Sequence, residues 1–258
     1  MNLVYFVHNI NVFKENYQYI LFENQKMTND LPFKIFFYSF VFVLAHLWGC
    51  SPAPNTDSKQ IKAKKVQSPP KFRILILGDS LTEGYGVSNM QAFPFLLETK
   101  LNYADANRTG TNFEVVNAGI SGSTTSGGVS RIQWLLKSKP DLLIVALGAN
   151  DGLRGVSVSE IKKNLKEIIL AARKNDIVTL LAGMKMPPNY GTKYTNDFSQ
   201  VFQEIANEQE VPLIPFLLEG VGGEPSMNLP DGIHPNPAGH DKIAQTVYDH
   251  VIKLLPQS

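Results

Sequence analysis

The chain predicts an α/β fold in which a five-stranded parallel sheet is sandwiched between helices. Short apolar runs recur at Arg73–Leu77, Phe113–Asn117, Asp141–Leu147, Ile177–Ala182 and Val211–Pro215. They are continuous rather than alternating, as strands buried on both faces are. Helix-length segments separate them, which supplies the crossovers that parallel neighbours require. The first helical segment carries Phe93, Leu96, Leu97 and Leu101 on one face. A second carries Ile161, Leu165, Ile168, Ile169 and Ala172, with Ser157 and Glu160 at capping-box spacing before it. A third carries Phe198, Val201, Phe202 and Ile205. The last opens at Asn236-Pro237, a good N-cap followed by proline at the first helical position, and continues through Ile243, Val247, Val251 and Leu254.

Composition narrows the function classes. The 258 residues hold 24 Lys plus Arg against 23 Asp plus Glu, a net charge of +1, which argues against a nucleic-acid binder. With 43% hydrophobic and 18% charged residues the chain is globular rather than disordered. Cys50 is its one cysteine, so an internal disulfide, a Cys-x-x-Cys pair and a multi-cysteine zinc site are all excluded.

The segment before Lys71 reads differently from the rest. Ile35 to Trp48 is an uncharged apolar run broken only by Tyr38, Ser39 and His46. It is short of the roughly 20 residues a membrane-spanning helix needs and suits a signal-peptide core. The run ends Leu47-Trp48-Gly49-Cys50, which resembles the lipobox at which bacterial lipoproteins are cleaved and lipidated, with Trp48 bulkier than the usual residue. Residues 1–49 are therefore expected to be a leader, with Met27 an alternative start. Cys50 is the expected lipidation site, and an uncleaved helical anchor is the other reading. Either places the remainder outside the cytoplasm, on the periplasmic or outer side of a bacterial envelope. Residues 50–70 hold four prolines and a lysine cluster with few bulky apolar groups, the composition of a tether. Residues 71–258 form the expected single folded domain.

In parallel sheets ligands bind outside the carboxyl ends of the strands. Four loops there carry reactive groups: Gly78-Asp79-Ser80-Leu81-Thr82-Glu83-Gly84, Asn117-Ala118-Gly119-Ile120-Ser121-Gly122-Ser123-Thr124-Thr125, Gly148-Ala149-Asn150-Asp151 and Asp231-Gly232-Ile233-His234-Pro235-Asn236. A serine hydroxyl needs a base to become a nucleophile. His8 and His46 fall in the leader, and His240 and His250 fall in the last helical pattern, where a solvated surface role is expected. His234 alone lies in a loop, three residues after Asp231. That spacing lets Asp231 orient the imidazole and leaves the other ring nitrogen for Ser80. The backbone N–H groups of Ser80 and Gly119 and the amide of Asn150 are candidate donors to an oxyanion.

Those four segments, in this order and spacing, resemble the signature blocks of the SGNH (GDSL-type) hydrolases. The runs Ser121–Gly128, Asn150–Gly155 and Pro187–Gly191 are similar to the periplasmic thioesterase/lysophospholipase/arylesterase branch. The resemblance implies a flavodoxin-like three-layer α/β/α sandwich, a Ser80–Asp231–His234 triad and an oxyanion hole of Ser80, Gly119 and Asn150. It also implies hydrolysis of carboxylic esters or thioesters, an activity that needs no cofactor. Ala149 departs from the glycine common in that branch, and there is no G-x-S-x-G elbow.

The Gly119–Gly128 loop lacks the Lys-Ser/Thr ending of a P-loop, and no His-rich metal signature is present. Turn and cap roles account for Asp79 and Asp151. Met184, Met186, Pro187 and Tyr190 follow the fourth strand and either line an acyl groove or pack the core. The expected partners are a small acyl ester, thioester or lysophospholipid substrate and a membrane, with no nucleic acid and a monomeric state. A carbohydrate O-acetylesterase and a non-catalytic lipoprotein that binds acyl or glycan ligands are the competing readings.

Overall fold

A computed structural model describes residues 71–105 and 110–255. The leader, the lipidation site at Cys50 and the tether expected from the sequence lie outside the described residues.

Five strands form one all-parallel sheet in the order β2-β1-β3-β4-β5. They are β1 (Lys71–Gly78), β2 (Asn112–Gly119), β3 (Leu142–Ala146), β4 (Val178–Ala182) and β5 (Leu213–Ile214). Seven α-helices accompany them: α1 (Ser80–Glu83), α2 (Phe93–Asp105), α3 (Thr125–Leu135), α4 (Ala149–Leu153), α5 (Val158–Arg173), α6 (Thr192–Gln209) and α7 (Pro237–Val251). Helices α2 and α7 pack together on one face of the sheet, and α3, α5 and α6 pack in sequence on the other. The result is the three-layer sandwich that the strand–helix alternation predicts.

Burial explains the continuous apolar runs. Ile74 to Leu77 of β1 and Leu143 to Val145 of β3 are wholly buried, because both strands are central and covered by helices on each face. β2 is an edge strand, and Glu114 and Asn117 interrupt its run where it meets solvent. β5 pairs over only two residues, shorter than the run Val211–Pro215. Pro212 and Pro215 flank it, and neither has an N–H to extend the ladder.

The helix signals act as their chemistry requires. Ser157 Oγ accepts from the Glu160 N–H at the start of α5 (3.3 Å). Asn236 Oδ1 accepts from the Ala238 and Gly239 N–H groups (3.0 and 3.1 Å), with Pro237 opening α7. His240 corrects the expectation of a solvated surface residue. It sits one turn before Ile243 on the inward face of α7 and is fully buried. Its Nδ1 accepts from the Phe93 N–H (3.3 Å), and burial pushes its pKa down to about 4.

The register sets up the chemistry. Gly78 and Gly119 are paired at the carboxyl ends of β1 and β2. A Cβ on Gly119 would lie 2.2 Å from the Glu83 nitrogen, so α1 is able to fold back across the end of β2 only because no side chain intervenes.

Candidate active site

Ser80 opens α1, directly after β1. Asp79 caps that helix by accepting the Leu81 N–H (3.0 Å), which turns the chain sharply and presents Ser80 at the sheet's carboxyl edge. His234 arrives from the far end of the domain. Its loop is held as a narrow hairpin: Leu229 N–H donates to His234 O (2.7 Å), and Asn236 N–H donates to Met227 O (2.9 Å). Gly232 turns the tip with φ +70°, a conformation that favours glycine.

The structure brings the three residues into one hydrogen-bonded line. His234 Nε2 lies 3.1 Å from Ser80 Oγ, and His234 Nδ1 lies 2.7 Å from Asp231 Oδ2. The second Asp231 oxygen accepts the Ile233 and His234 N–H groups (2.9 and 3.0 Å). These backbone bonds, more than the imidazole itself, pull the Asp231 pKa down to about 2. Asp231 is thus held in its ionised form near neutral pH, and it fixes the imidazole with Nε2 toward the serine. The Tyr85 ring lies against the His234 ring at 4.4 Å between centroids and remains about half exposed.

The candidate oxyanion donors separate into free and engaged. The Ser80 N–H has no acceptor among the described residues. Asn150 projects from the start of α4, and its Nδ2 donates to Asp79 Oδ2 (3.3 Å), which leaves the second N–H of the amide. Gly119 departs from the expectation. Its N–H donates to Asn117 Oδ1 (2.9 Å), while the Asn117 amide also reaches Thr82 O (2.9 Å). The glycine at 119 answers a packing need, the close approach of α1. Three residues on, Gly122 has φ +75°, and its N–H has no acceptor among the described residues. The Gly122 loop is tied down on both sides. Glu83 accepts from Ser121 N–H and its hydroxyl, and Arg154 donates to Gly122 O (3.0 Å).

Asp79 is more than a cap. It is wholly buried, and burial raises its pKa to about 6 against the pull of the Leu81 N–H, Asn150 and His234. Asp151 accepts from Thr125 N–H and its hydroxyl (2.8 and 2.6 Å), which joins α4 to α3 as the turn-and-cap reading expects.

The stretch after β4 divides. Met184 is buried in the core, so an acyl-groove role for it is corrected to packing. Met186 lies over Gly152 of α4, Pro187 is exposed, and the Tyr190 hydroxyl reaches Leu153 O (3.4 Å). This segment therefore walls the helix that carries Asn150. Five apolar side chains stand exposed at the same edge: Tyr85, Ile120, Leu153, Tyr190 and Ile233. A groove of about 540 Å³ between α3 and α5 is lined by Lys162, Lys163, Lys166 and Lys174 and contains none of these residues. Among the described residues no group of three or more His, Cys, Asp or Glu side chains is placed to hold a metal ion.

The family model described as GDSL-like lipase/acylhydrolase matches residues 76–242, from the end of β1 into α7. The chain belongs to that family. Membership makes this GDSL-like protein an acylhydrolase of the SGNH type, and the sheet-and-helix sandwich is that of its solved relatives. It is 39% identical to the protein named esterase TesA of Pseudomonas aeruginosa over 183 residues, 70% of this chain and 89% of the relative. It is 40% identical to Escherichia coli thioesterase 1/protease 1/lysophospholipase L1 over 164 residues, 63% of this chain and 75% of the relative. The structure of the psychrotrophic esterase EstA from Pseudoalteromonas sp., inhibited by monoethylphosphonate, superposes with a TM-score of 0.66 at 32% identity, covering 70% of this chain and 97% of that one.

Proposed function

We propose that this acylhydrolase cleaves carboxylic esters and thioesters through an acyl-serine intermediate, with Ser80 as nucleophile, His234 as base and Asp231 as its orienting acid. The observation that carries the reading is the unbroken hydrogen-bonded line Ser80–His234–Asp231 beside free backbone donors. As Ser80 Oγ attacks the acyl carbon, His234 Nε2 takes its proton and Asp231 stabilises the imidazolium. The carbonyl oxygen gains the negative charge. The Ser80 N–H, the Gly122 N–H and the second Asn150 N–H are the donors we assign to it, with Gly122 in place of Gly119. Collapse of the tetrahedral species breaks the bond to the alcohol or thiol, which leaves with the proton from His234. Water, deprotonated by the same nitrogen, then releases the acid and restores the serine.

Aryl and long-chain acyl substrates suit the apolar edge formed by Tyr85, Ile120, Leu153, Tyr190 and Ile233, with Met186, Pro187 and Tyr190 as its wall near Asn150. The relatives' names, esterase and thioesterase/lysophospholipase, support the same substrate class. We further propose lipidation at Cys50 and a tether over residues 51–70 that hold a monomeric domain at a bacterial membrane, facing out of the cytoplasm. Among the described residues no helix is long and apolar enough to cross a membrane.

The test uses a fragment spanning residues 71–258 with a chain-length series of p-nitrophenyl esters, an acyl-CoA and a lysophospholipid. Turnover and covalent labelling by a fluorophosphonate are expected in the parent and absent in Ser80→Ala. Parental turnover in Ser80→Ala would sink the assignment, and activity confined to acetylated sugars would move the substrate class to carbohydrate esters.

A further inference from the structure

Arg131 is the single charged residue of α3. Among the described residues its half-buried guanidinium meets no carboxylate directly. Nη1 donates to Ala118 O (2.5 Å), and Nη2 donates to Gly78 O (2.7 Å) and Ser123 Oγ (3.3 Å). Elsewhere in the domain, Arg73 illustrates the common alternative, a half-buried pair with Glu114 (2.6 Å).

The acceptors of Arg131 share one property: each lies within four residues of a proposed oxyanion donor. Gly78 O is the last carbonyl of β1, two residues before Ser80. It also accepts the Ile120 N–H (3.2 Å), so the guanidinium and the ladder converge on one oxygen. Ala118 O belongs to the end of β2, where the Gly122 loop departs, and Ser123 directly follows Gly122. The third donor is reached through charge. Asp79, which holds the Asn150 amide, interacts electrostatically with Arg131 and favours its charged form against the pull of burial.

We propose that Arg131 is a positioning residue of the hydrolysis, a fork that locks the ends of β1 and β2 and the Gly122 loop in the arrangement the oxyanion needs. The inference rests on the serine-hydrolase reading above. A planar guanidinium holds its N–H groups apart in a fixed fork that bridges carbonyls on two strands and a hydroxyl together; an ammonium has three N–H groups too, but all on one nitrogen.

The experiment measures kcat and KM of residues 71–258 on a soluble p-nitrophenyl ester, with kcat expressed per site titrated to completion by fluorophosphonate. Arg131→Met is expected to lower kcat per titrated site on the order of 10²-fold, comparable to loss of one donor, with KM within about threefold. Arg131→Lys should recover only part of that loss. A purely structural role would lower the melting temperature and the titratable fraction but leave kcat per titrated site at the parental value. That result overturns the proposal. Should Arg131→Met not fold, Arg131→Lys decides by the same quantity: a loss of about fivefold or more supports the proposal, and a smaller one overturns it. Ser80→Ala separates the two readings. If it is inert while Arg131→Met is parental, only the role of Arg131 falls; if it turns over normally, the site assignment falls with it.

Discussion

Asn150 has one amide and two directions to serve. Asp79 accepts one of its N–H groups, which decides that nitrogen rather than oxygen faces the carboxylate and leaves the second N–H for the substrate. Under the proposed mechanism Asn150→Ala should lower kcat on the order of 10²–10³ with little change in KM, measured on a soluble ester. Asn150→Asp should be at least as poor, and its kcat relative to the parent's should fall further as pH rises, because a half-buried carboxylate would then face the buried Asp79. A kcat for Asn150→Asp that gains on the parent's as pH rises would contradict this arrangement. Ser80, Asn150, Asp231 and His234 were legible from sequence because each stands in a strand-end loop punctuated by glycine or proline. The choice between Gly119 and Gly122 was not. It depends on which N–H is already engaged by Asn117, and that is a tertiary fact. Tyr85 and Arg131 were equally hidden, since an aromatic after a turn and a lone cation on a helix look solvated until their neighbours are known.

At the scale of elements, α1 and β2 form a contact that tolerates no side chain at 119. Gly119→Ala should destabilise the domain by roughly 1–3 kcal/mol, the usual cost of overpacking, through displacement of α1. Thermal melting checks this, and an unchanged melting temperature would show that α1 yields freely. Helices α5, α6 and α7 could be read from periodicity because each packs an apolar face on the sheet or a neighbouring helix. Helix α3 could not: its sequence Thr125-Ser-Gly-Gly-Val-Ser-Arg-Ile-Gln-Trp-Leu135 holds two adjacent glycines and an inward arginine, and its buried positions Thr125, Gly128 and Ile132 keep helical spacing with a single large apolar side chain. The same blindness applied to His240, whose position on the inward face of α7 outweighs its polarity.

Across the whole domain two buried titrating groups oppose one another. Asp79 has a folded pKa near 6 against 3.8 in the open chain, so its contribution is full at low pH and is lost as pH rises through 6. His240 has a folded pKa near 4 against 6.5, so its contribution is full above 6.5 and is lost as pH falls through 4. Each displacement corresponds to roughly 3 kcal/mol, and between pH 4 and 6.5 the two slopes have opposite sign. Asp79→Asn leaves His240 unopposed, so its melting temperature should fall more steeply than the parent's as pH drops from 6.5 to 4. Parallel melting curves for the two proteins would contradict the balance. Also at this scale, residues 71–258 should match the full chain on soluble esters, while Cys50→Ser should abolish recovery of the full chain in the detergent phase. The five-stranded architecture was readable because both β1 and β3 are central; the boundaries of β2 and β5 were not, because edge position and flanking prolines set them.

The bond between Ser80 and His234 spans 154 positions of sequence. Under the proposed mechanism the nucleophile is therefore made long before its base during synthesis, and a growing chain that ends short of His234 lacks the group that would activate Ser80. On that reading, chain order alone keeps the acyl-ester chemistry silent until the His234 loop and α7 have been made and docked.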